Sequence, residues 1–339
     1  MDNSQSKFSR IAMRILIALL PLLLLVACSN AAPVETECAA CVMQDVWKPV
    51  DSSETASPAP PPDPSEQTLT FLFFSDTQPD PETMDFTGVG ELLVLAIERH
   101  ENISLVTFGG DTVDNGANAA EWLDFHRATG AALDNKVTAA VAGNHDNHVF
   151  LADQFSYPSV APSSPAEGFF YTLRMGHVFF LMLDSNIMGA ANESDIEWLQ
   201  GELQSDTARQ ADWRIAVMHH PMWPTSDIPK DIQRAETMRE HFLPILEEHG
   251  VTLILCGHQH TYSRTHAMRG DTMASDGSGV VQIMAASGGK ASYASGERDY
   301  IVVGSTAPNY VLLEADSQSL IVTAYDGEHK VIDYFTIHR

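Results

Sequence analysis

The chain has 339 residues, 44% of them hydrophobic, enough to build a full core in one large domain or two small ones. Its formal net charge of −26 makes the surface strongly acidic. Phosphate backbones are recognised by Lys and Arg, so this balance argues against a nucleic-acid-binding surface.

The first residues read as a targeting segment. Lys7, Arg10 and Arg14 form a positive stretch, and the apolar run from Ile15 to Ala27 is too short to span a bilayer. That is the pattern of a secretory signal peptide, expected over residues 1–27. It ends Leu25-Val26-Ala27-Cys28, which resembles the lipobox of bacterial lipoproteins. The resemblance implies lipidation of Cys28 and an exported lipoprotein, held by its anchor at the cell surface or in the periplasm; an ordinary signal peptide with a chance Cys is the alternative. Residues 28–67 are expected to act as a tether, because the Pro, Ser and acid mixture of 51–67 cannot bury a core. Cys38 and Cys41 lie in this tail, where an exported chain is expected to form a small disulfide. Cys256 ends an apolar run and reads as a buried core thiol.

From residue 68 to 339 short apolar runs alternate with helical patterns. Strands are expected at Leu69–Phe74, Leu105–Phe108 and Val137–Ala142, with helices at Glu91–His100 and Ala119–Ala132. A hairpin is expected from Phe169–Arg174 and Val178–Leu183, turning at Gly176-His177. Next come a helix at Ser194–Gln204, a strand at Ile215–Met218, and a helix at Ile232–His249 that Pro244 should kink or break. Further strands follow at Leu253–Cys256, Val280–Ala285, Tyr310–Ala315, Leu320–Tyr325 and Val331–Ile337, the last two separated by an Asp326-Gly327 turn. This alternation argues for an α/β domain with buried strands.

Polar residues gather where the strands end. The five ends are Ser75-Asp76-Thr77-Gln78, Gly110-Asp111-Thr112-Val113-Asp114, Gly143-Asn144-His145-Asp146, His219-His220-Pro221 and Gly257-His258-Gln259-His260. Each alone could be a helix cap, a turn or a structural His. Five in series do not fit that reading, because ligands of α/β sheets collect beyond the carboxyl ends of strands. The expectation is that all five lie on one side of one sheet.

In order and spacing, these motifs resemble the calcineurin-like metallophosphoesterase superfamily, whose pattern is DxH, GDxxD, GNH(D/E), H and GHxH. The continuation Thr261-Tyr262-Ser263-Arg264 resembles the GHxHxYxR of purple acid phosphatases. The resemblance implies an αββα sandwich, with two central mixed β-sheets flanked by helices. It also implies hydrolysis of phosphate esters at a dinuclear centre, with metal-bound hydroxide as nucleophile. Carried over residue by residue, Asp111 would bridge the metals, Asp76 and His260 would bind the first, and Asn144, His219 and His258 the second. His219 is preferred to His220 as the first His before the Pro. His145 would sit by the leaving-group oxygen and, with Asn144, contact substrate; Asp146 would orient it. Asp114 would support the site without binding metal.

The chemistry agrees with that set. Two cations neutralise a phosphate ester and lower the pKa of water towards about 7. Mixed nitrogen and oxygen donors suit two divalent or trivalent ions of Mn, Fe or Zn. Two departures stand out: Gln78 replaces the usual His of the first motif, and Asp114 stands where purple acid phosphatases have the Tyr behind their iron colour. Gln78 is expected to bind the first metal through its oxygen, with water or a supporting role as alternatives. A degenerate, non-catalytic binding protein of the same fold is the competing function, and Gln78 is the feature that favours it.

Overall fold

The computed structural model describes residues 67–156, 169–293 and 296–339. The expected signal peptide, Cys28, the tether up to residue 66 and the Cys38–Cys41 pair lie outside the described residues. In chain order the elements are β1 (Leu69–Phe74), α1 (Thr87–Arg99), β2 (Ile103–Phe108), α2 (Ala119–Leu133), β3 (Thr138–Ala140), α3 (His148–Ala152), β4 (Tyr171–Met175) and β5 (Val178–Met182). There follow α4 (Ser185–Met188), α5 (Glu193–Leu203), α6 (Asp206–Arg209), β6 (Trp213–Val217), α7 (Pro229–His241), α8 (Leu243–Glu248) and β7 (Leu253–Cys256). The β-rich end comprises β8 (Tyr262–Thr265), β9 (Met268–Arg269), β10 (Thr272–Met273), β11 (Val281–Met284), β12 (Ile301–Ser305), β13 (Asn309–Ala315), β14 (Ser319–Asp326) and β15 (Val331–His338).

Two mixed sheets form the centre, as expected. One runs β15-β14-β13-β1-β2-β3 and the other β12-β8-β11-β7-β6-β5-β4. Within them β1, β2 and β3 are parallel, and so are β5, β6, β7 and β11. Side chains alternate across a strand, and the second sheet uses both faces. Phe180, Ile215, Val217, Leu253, Leu255 and Ile283 enter the core shared with the first sheet, where Phe71 meets Phe180 edge-on at 5.1 Å. The alternate residues Phe179, Leu181, Ala216, Ile254 and Cys256 enter a separate core with Leu199, Met238 and Leu246 of the helices and Phe242 between two of them. On the first sheet, Phe108 packs against Phe125 of α2. Helices therefore cover the outer faces, giving four layers.

Several expectations need correction. The chemistry-bearing strand ends come from two sheets: three from β1–β3 and two from β6 and β7. The break expected in the helix at Ile232–His249 is present but falls at Phe242, leaving Pro244 in the first turn of the second helix, where its missing N–H costs no hydrogen bond. The first helix begins at Thr87, four residues before Glu91. Strands β8 and β12 were not expected. β8 reads YSRT, whose polar side chains hide a buried strand from any hydrophobic pattern. Among the described residues, no helix is long and apolar enough to cross a membrane. Cys256 is a free, fully buried thiol, as expected.

Candidate metal centre

Asp111 is the hub. Its Oδ2 lies 3.4 Å from His219 Nε2, and it accepts a hydrogen bond from Gln78 Nε2 at 3.3 Å. Its Oδ1 accepts from the His145 backbone N–H at 2.8 Å. Asp76 sits beside it, accepting from Ser75 Oγ at 2.8 Å and from the His258 N–H, with His260 Nε2 at 3.5 Å. Donor atoms of Asp76, Asp111 and His219 lie within 4.8 Å of one another, and all three residues are buried. His219 and His258 form a second such group with His220.

The backbone that carries these residues is unusual. Asp76, Asp111, His258 and His260 all have left-handed φ, at 51°, 50°, 77° and 49°. Each such residue without the freedom of glycine costs on the order of 1–3 kcal/mol and persists only where its surroundings fix it. Close approach of two loops demands glycine at two points. A Cβ on Gly143 would fall 2.1 Å from Asp111 Oδ1, and one on Gly257 would fall 2.1 Å from Asp76 Oδ2.

Backbone carbonyls set the imidazoles. His219 Nδ1 donates to Gly109 O at 2.9 Å, His260 Nδ1 to Ala291 O at 3.1 Å, and His145 Nδ1 to Asp114 O at 2.7 Å. A carbonyl can only accept, so in the neutral form of each ring the proton is on Nδ1 and Nε2 carries the lone pair. For His219 that Nε2 is buried with no hydrogen-bond partner. His220 differs. Ser185 Oγ accepts from the N–H groups of His219 and His220, at 3.2 and 2.8 Å, leaving its proton for His220 Nδ1 at 2.9 Å. The His220 proton is then on Nε2, and the ring has no lone pair for a cation. This supports His219 over its neighbour.

The charges are balanced unevenly. Burial pushes the Asp76 carboxyl up to about 7, with His219 opposing and Asp111 adding to the shift. Burial acts the same way on Asp111, but His219 and the hydrogen bonds it receives outweigh this and hold it well below the usual range. His219 would be pushed down by burial, yet Asp111 and Asp76 carry it up to about 9. Carboxylates this crowded and this buried call for cations. Gln78 Oε1, His219 Nε2 and both ring nitrogens of His258 are also buried without a hydrogen-bond partner. The donor set therefore fits metal ions.

The remaining expected residues lie around this cluster. Asn144 is exposed. Asp146 receives Gly143 N–H at 2.9 Å and Thr112 N–H at 3.2 Å, joining the second and third motif loops. Burial, then Asp111, pushes its carboxyl up to about 6. The orienting partner of His145 is not Asp146, as expected, but Asp114, through its backbone oxygen and a carboxylate 3.4 Å from Nδ1. Asp114 is itself paired with Lys290.

Lys290 belongs to a wall that the motif reading missed. After β11, Ser287 N–H donates to Ser75 O and Gly288 N–H to Asp76 O. Ala291 O then holds His260, and the Tyr293 ring lies 5.6 and 5.1 Å from those of His258 and His260. The signal was present: Ser287-Gly288-Gly289-Lys290 follows the end of a sixth strand parallel to β7. Asp231, in the first turn of α7 and 3.2 Å from His258, carried no such signal. Tyr262 and Arg264 of the GHxHxYxR tail do not reach the centre. Both bind the Asp333 carboxylate of β15, at 2.8 and 2.5 Å, and so tie the two sheets together.

Comparisons with known proteins bear on the fold and the family. An uncharacterized protein of Mycobacterium tuberculosis is 30% identical over 38% of this chain and 28% of its own length. Purple acid phosphatase 15 of Arabidopsis thaliana is 26% identical over 44% of this chain and 29% of its own. The chain thus matches less than a third of the length of either relative. The structure of purple acid phosphatase PPD1 from yellow lupin covers 81% of this chain and 55% of the lupin chain, with a TM-score of 0.65 and 18% identity, and shares the fold. The calcineurin-like phosphoesterase family model matches residues 69–262, from the first strand through the last His motif, and the chain belongs to that family.

Proposed function

We propose that this chain hydrolyses phosphate esters at a two-metal centre and works outside the cytoplasm as a lipid-anchored protein. The observation that carries the hydrolytic reading is the set of buried donor atoms without partners around Asp111: Gln78 Oε1, His219 Nε2 and His258 Nδ1. Asp76, Gln78 and His260 would hold one ion and Asn144, His219 and His258 the other, with Asp111 shared between them. The ions, when bound, would supply Lewis acidity towards water and the phosphoryl oxygens.

The chain's own residues supply the rest. His145, with its proton on Nδ1 held by Asp114 O, presents Nε2 on the open side of Asp111, 4.0 Å from Oδ2. Once protonated there, it can pass a proton to the departing alkoxide. Asp146 keeps the loop of His145 against that of Asp111. Asn186 Nδ2 supports the same loop, donating to Ala142 O and Gly143 O at 3.1 Å. The non-catalytic alternative draws on Gln78 alone, and the partnerless Oε1 of that residue weighs against it.

Two measurements test the proposal. Metal-loaded protein, given Mn, Fe or Zn, should release nitrophenol from a nitrophenyl phosphate, with chelation abolishing turnover. Metal binding without turnover of any mono- or diester would leave the binding-protein reading. For export, Cys28→Ser should free the protein from membranes or leave its leader uncleaved; normal processing with membrane retention would contradict the lipid anchor.

A further inference from the structure

His258 differs from the other imidazoles of the centre. His219 and His260 face backbone carbonyls through Nδ1 and keep Nε2 free. His258 is reversed: its Nε2 lies 3.2 Å from Asp231 Oδ1, and its Nδ1 is buried without a partner. The Asp231 contact is close but not aligned as a hydrogen bond, and both side chains are 2% exposed.

The other side of Asp231 is fixed by Gln259, the middle residue of Gly257-His258-Gln259-His260. Gln259 Oε1 accepts from the backbone N–H groups of Thr225 and Ser226, at 2.7 and 3.2 Å. Those donors leave the amide one orientation. Its Nε2 must therefore donate, and it does so to Ser226 Oγ at 2.7 Å and to Asp231 Oδ2 at 3.3 Å. Asp231 therefore accepts from Gln259 through Oδ2 and turns Oδ1 towards His258 Nε2, where a carboxylate oxygen suits a ring N–H and not a lone pair. Among residues of this size only a carboxylate can do that.

We propose that Asp231, clamped by Gln259, is a positioning residue for the metal centre: it holds the His258 proton on Nε2 and so keeps the Nδ1 lone pair available to the second metal. This rests on the proposed two-metal reading, in which His258 is a ligand. Outer partners of this kind orient a ligating imidazole and raise its basicity, and their loss typically costs 10- to 100-fold in metal affinity.

Asp231→Asn is the informative change. The Asn amide must turn its NH2 either to Gln259, which is already a donor, or to His258 Nε2. The second choice moves the imidazole proton to Nδ1 and removes the metal's lone pair. Competitive chelator titration with Zn should then show the second site weakened 10- to 100-fold and the first unchanged. His258→Ala is the reference. If it loses the second site while Asp231→Asn binds like the parent chain, the role of Asp231 is overturned and the metal assignment stands. If His258→Ala itself binds two ions with parent affinity, the ligand assignment fails and this proposal with it. Nitrogen NMR of the metal-free parent chain gives a test that needs no stable Asp231 variant, with the His258 signals assigned by their loss in His258→Ala. An Nε2–H tautomer is expected, and an Nδ1–H tautomer would overturn the proposal.

Discussion

Gln78 is the residue on which the sequence and the structure bear most directly together. As a departure from the family pattern, it left open coordination, replacement by water or mere support. The structure places it fully buried, donating to Asp111 from Nε2 and leaving Oε1 without a partner. That arrangement fits an oxygen ligand held in place by Asp111. Gln78→His should accordingly keep activity and shift preference from Mn towards Zn, following ligand softness. Gln78→Ala should weaken the first site; identical metal titrations for all three forms would remove Gln78 from the ligand set. At His145 the residue was legible in the sequence but its partner was not. GNHD suggests that the adjacent Asp146 orients the ring, yet backbone direction turns that carboxylate to Gly143 and Thr112 and brings Asp114 to the imidazole. His145→Ala should retain metal and lose rate by roughly 10²- to 10⁴-fold, with a smaller loss on nitrophenyl than on alkyl phosphates. Equal losses on both would assign His145 to binding.

At the scale of elements, buried strands were legible wherever they were apolar. β5 and β7 are continuous hydrophobic runs and β1, β2 and β6 are nearly so, interrupted by Thr70, by Ser104 and Thr107, and by Arg214, because strands covered on both faces leave little polar alternation. β8 was not legible, since its polar side chains answer to partners far along the chain. Tyr262 and Arg264 sit in β8 yet serve Asp333 in the other sheet, with Arg264 also lying over the Phe335 ring at 4.4 Å. A motif tail shared with purple acid phosphatases is here an inter-sheet tie and not part of the metal site. Asp333→Ala would leave a phenol and a guanidinium largely buried without their acceptor. The expected destabilisation is on the order of 3 kcal/mol, the lower end for breaking a buried pair because Arg264 is partly exposed. Denaturant unfolding measures it, and a loss below about 0.5 kcal/mol, the range of an ordinary surface change, would contradict the tie. The wall of Ser287 to Tyr293 was overlooked for a related reason: it bears no carboxylate or imidazole, and its contribution is largely made by backbone groups.

Across the whole molecule, the acidic surface and the cationic requirement of the site belong together. A chain with a net charge of −26 repels phosphate over long range, so attraction must be local. Within the centre, the Asp76 and Asp111 carboxylates are buried close together, with the half-buried Asp146 near Asp111. Metal ions would invert that local field and make it attractive to a phosphate ester. Order and spacing of the five motifs made this visible before any coordinates, because ligands at strand ends are local in sequence. What stayed hidden was contributed at long range: the second sheet's share of the site, Lys290 on Asp114, and Asp231 behind His258. The most direct test is turnover of an aryl phosphate measured against equivalents of metal added to metal-free chain. Activity should depend on the second equivalent, reach its plateau at two ions per chain, and be absent, together with both ions, in Asp111→Asn. A plateau at one ion per chain, or an Asp111→Asn variant that binds two, would contradict a centre built around a shared carboxylate.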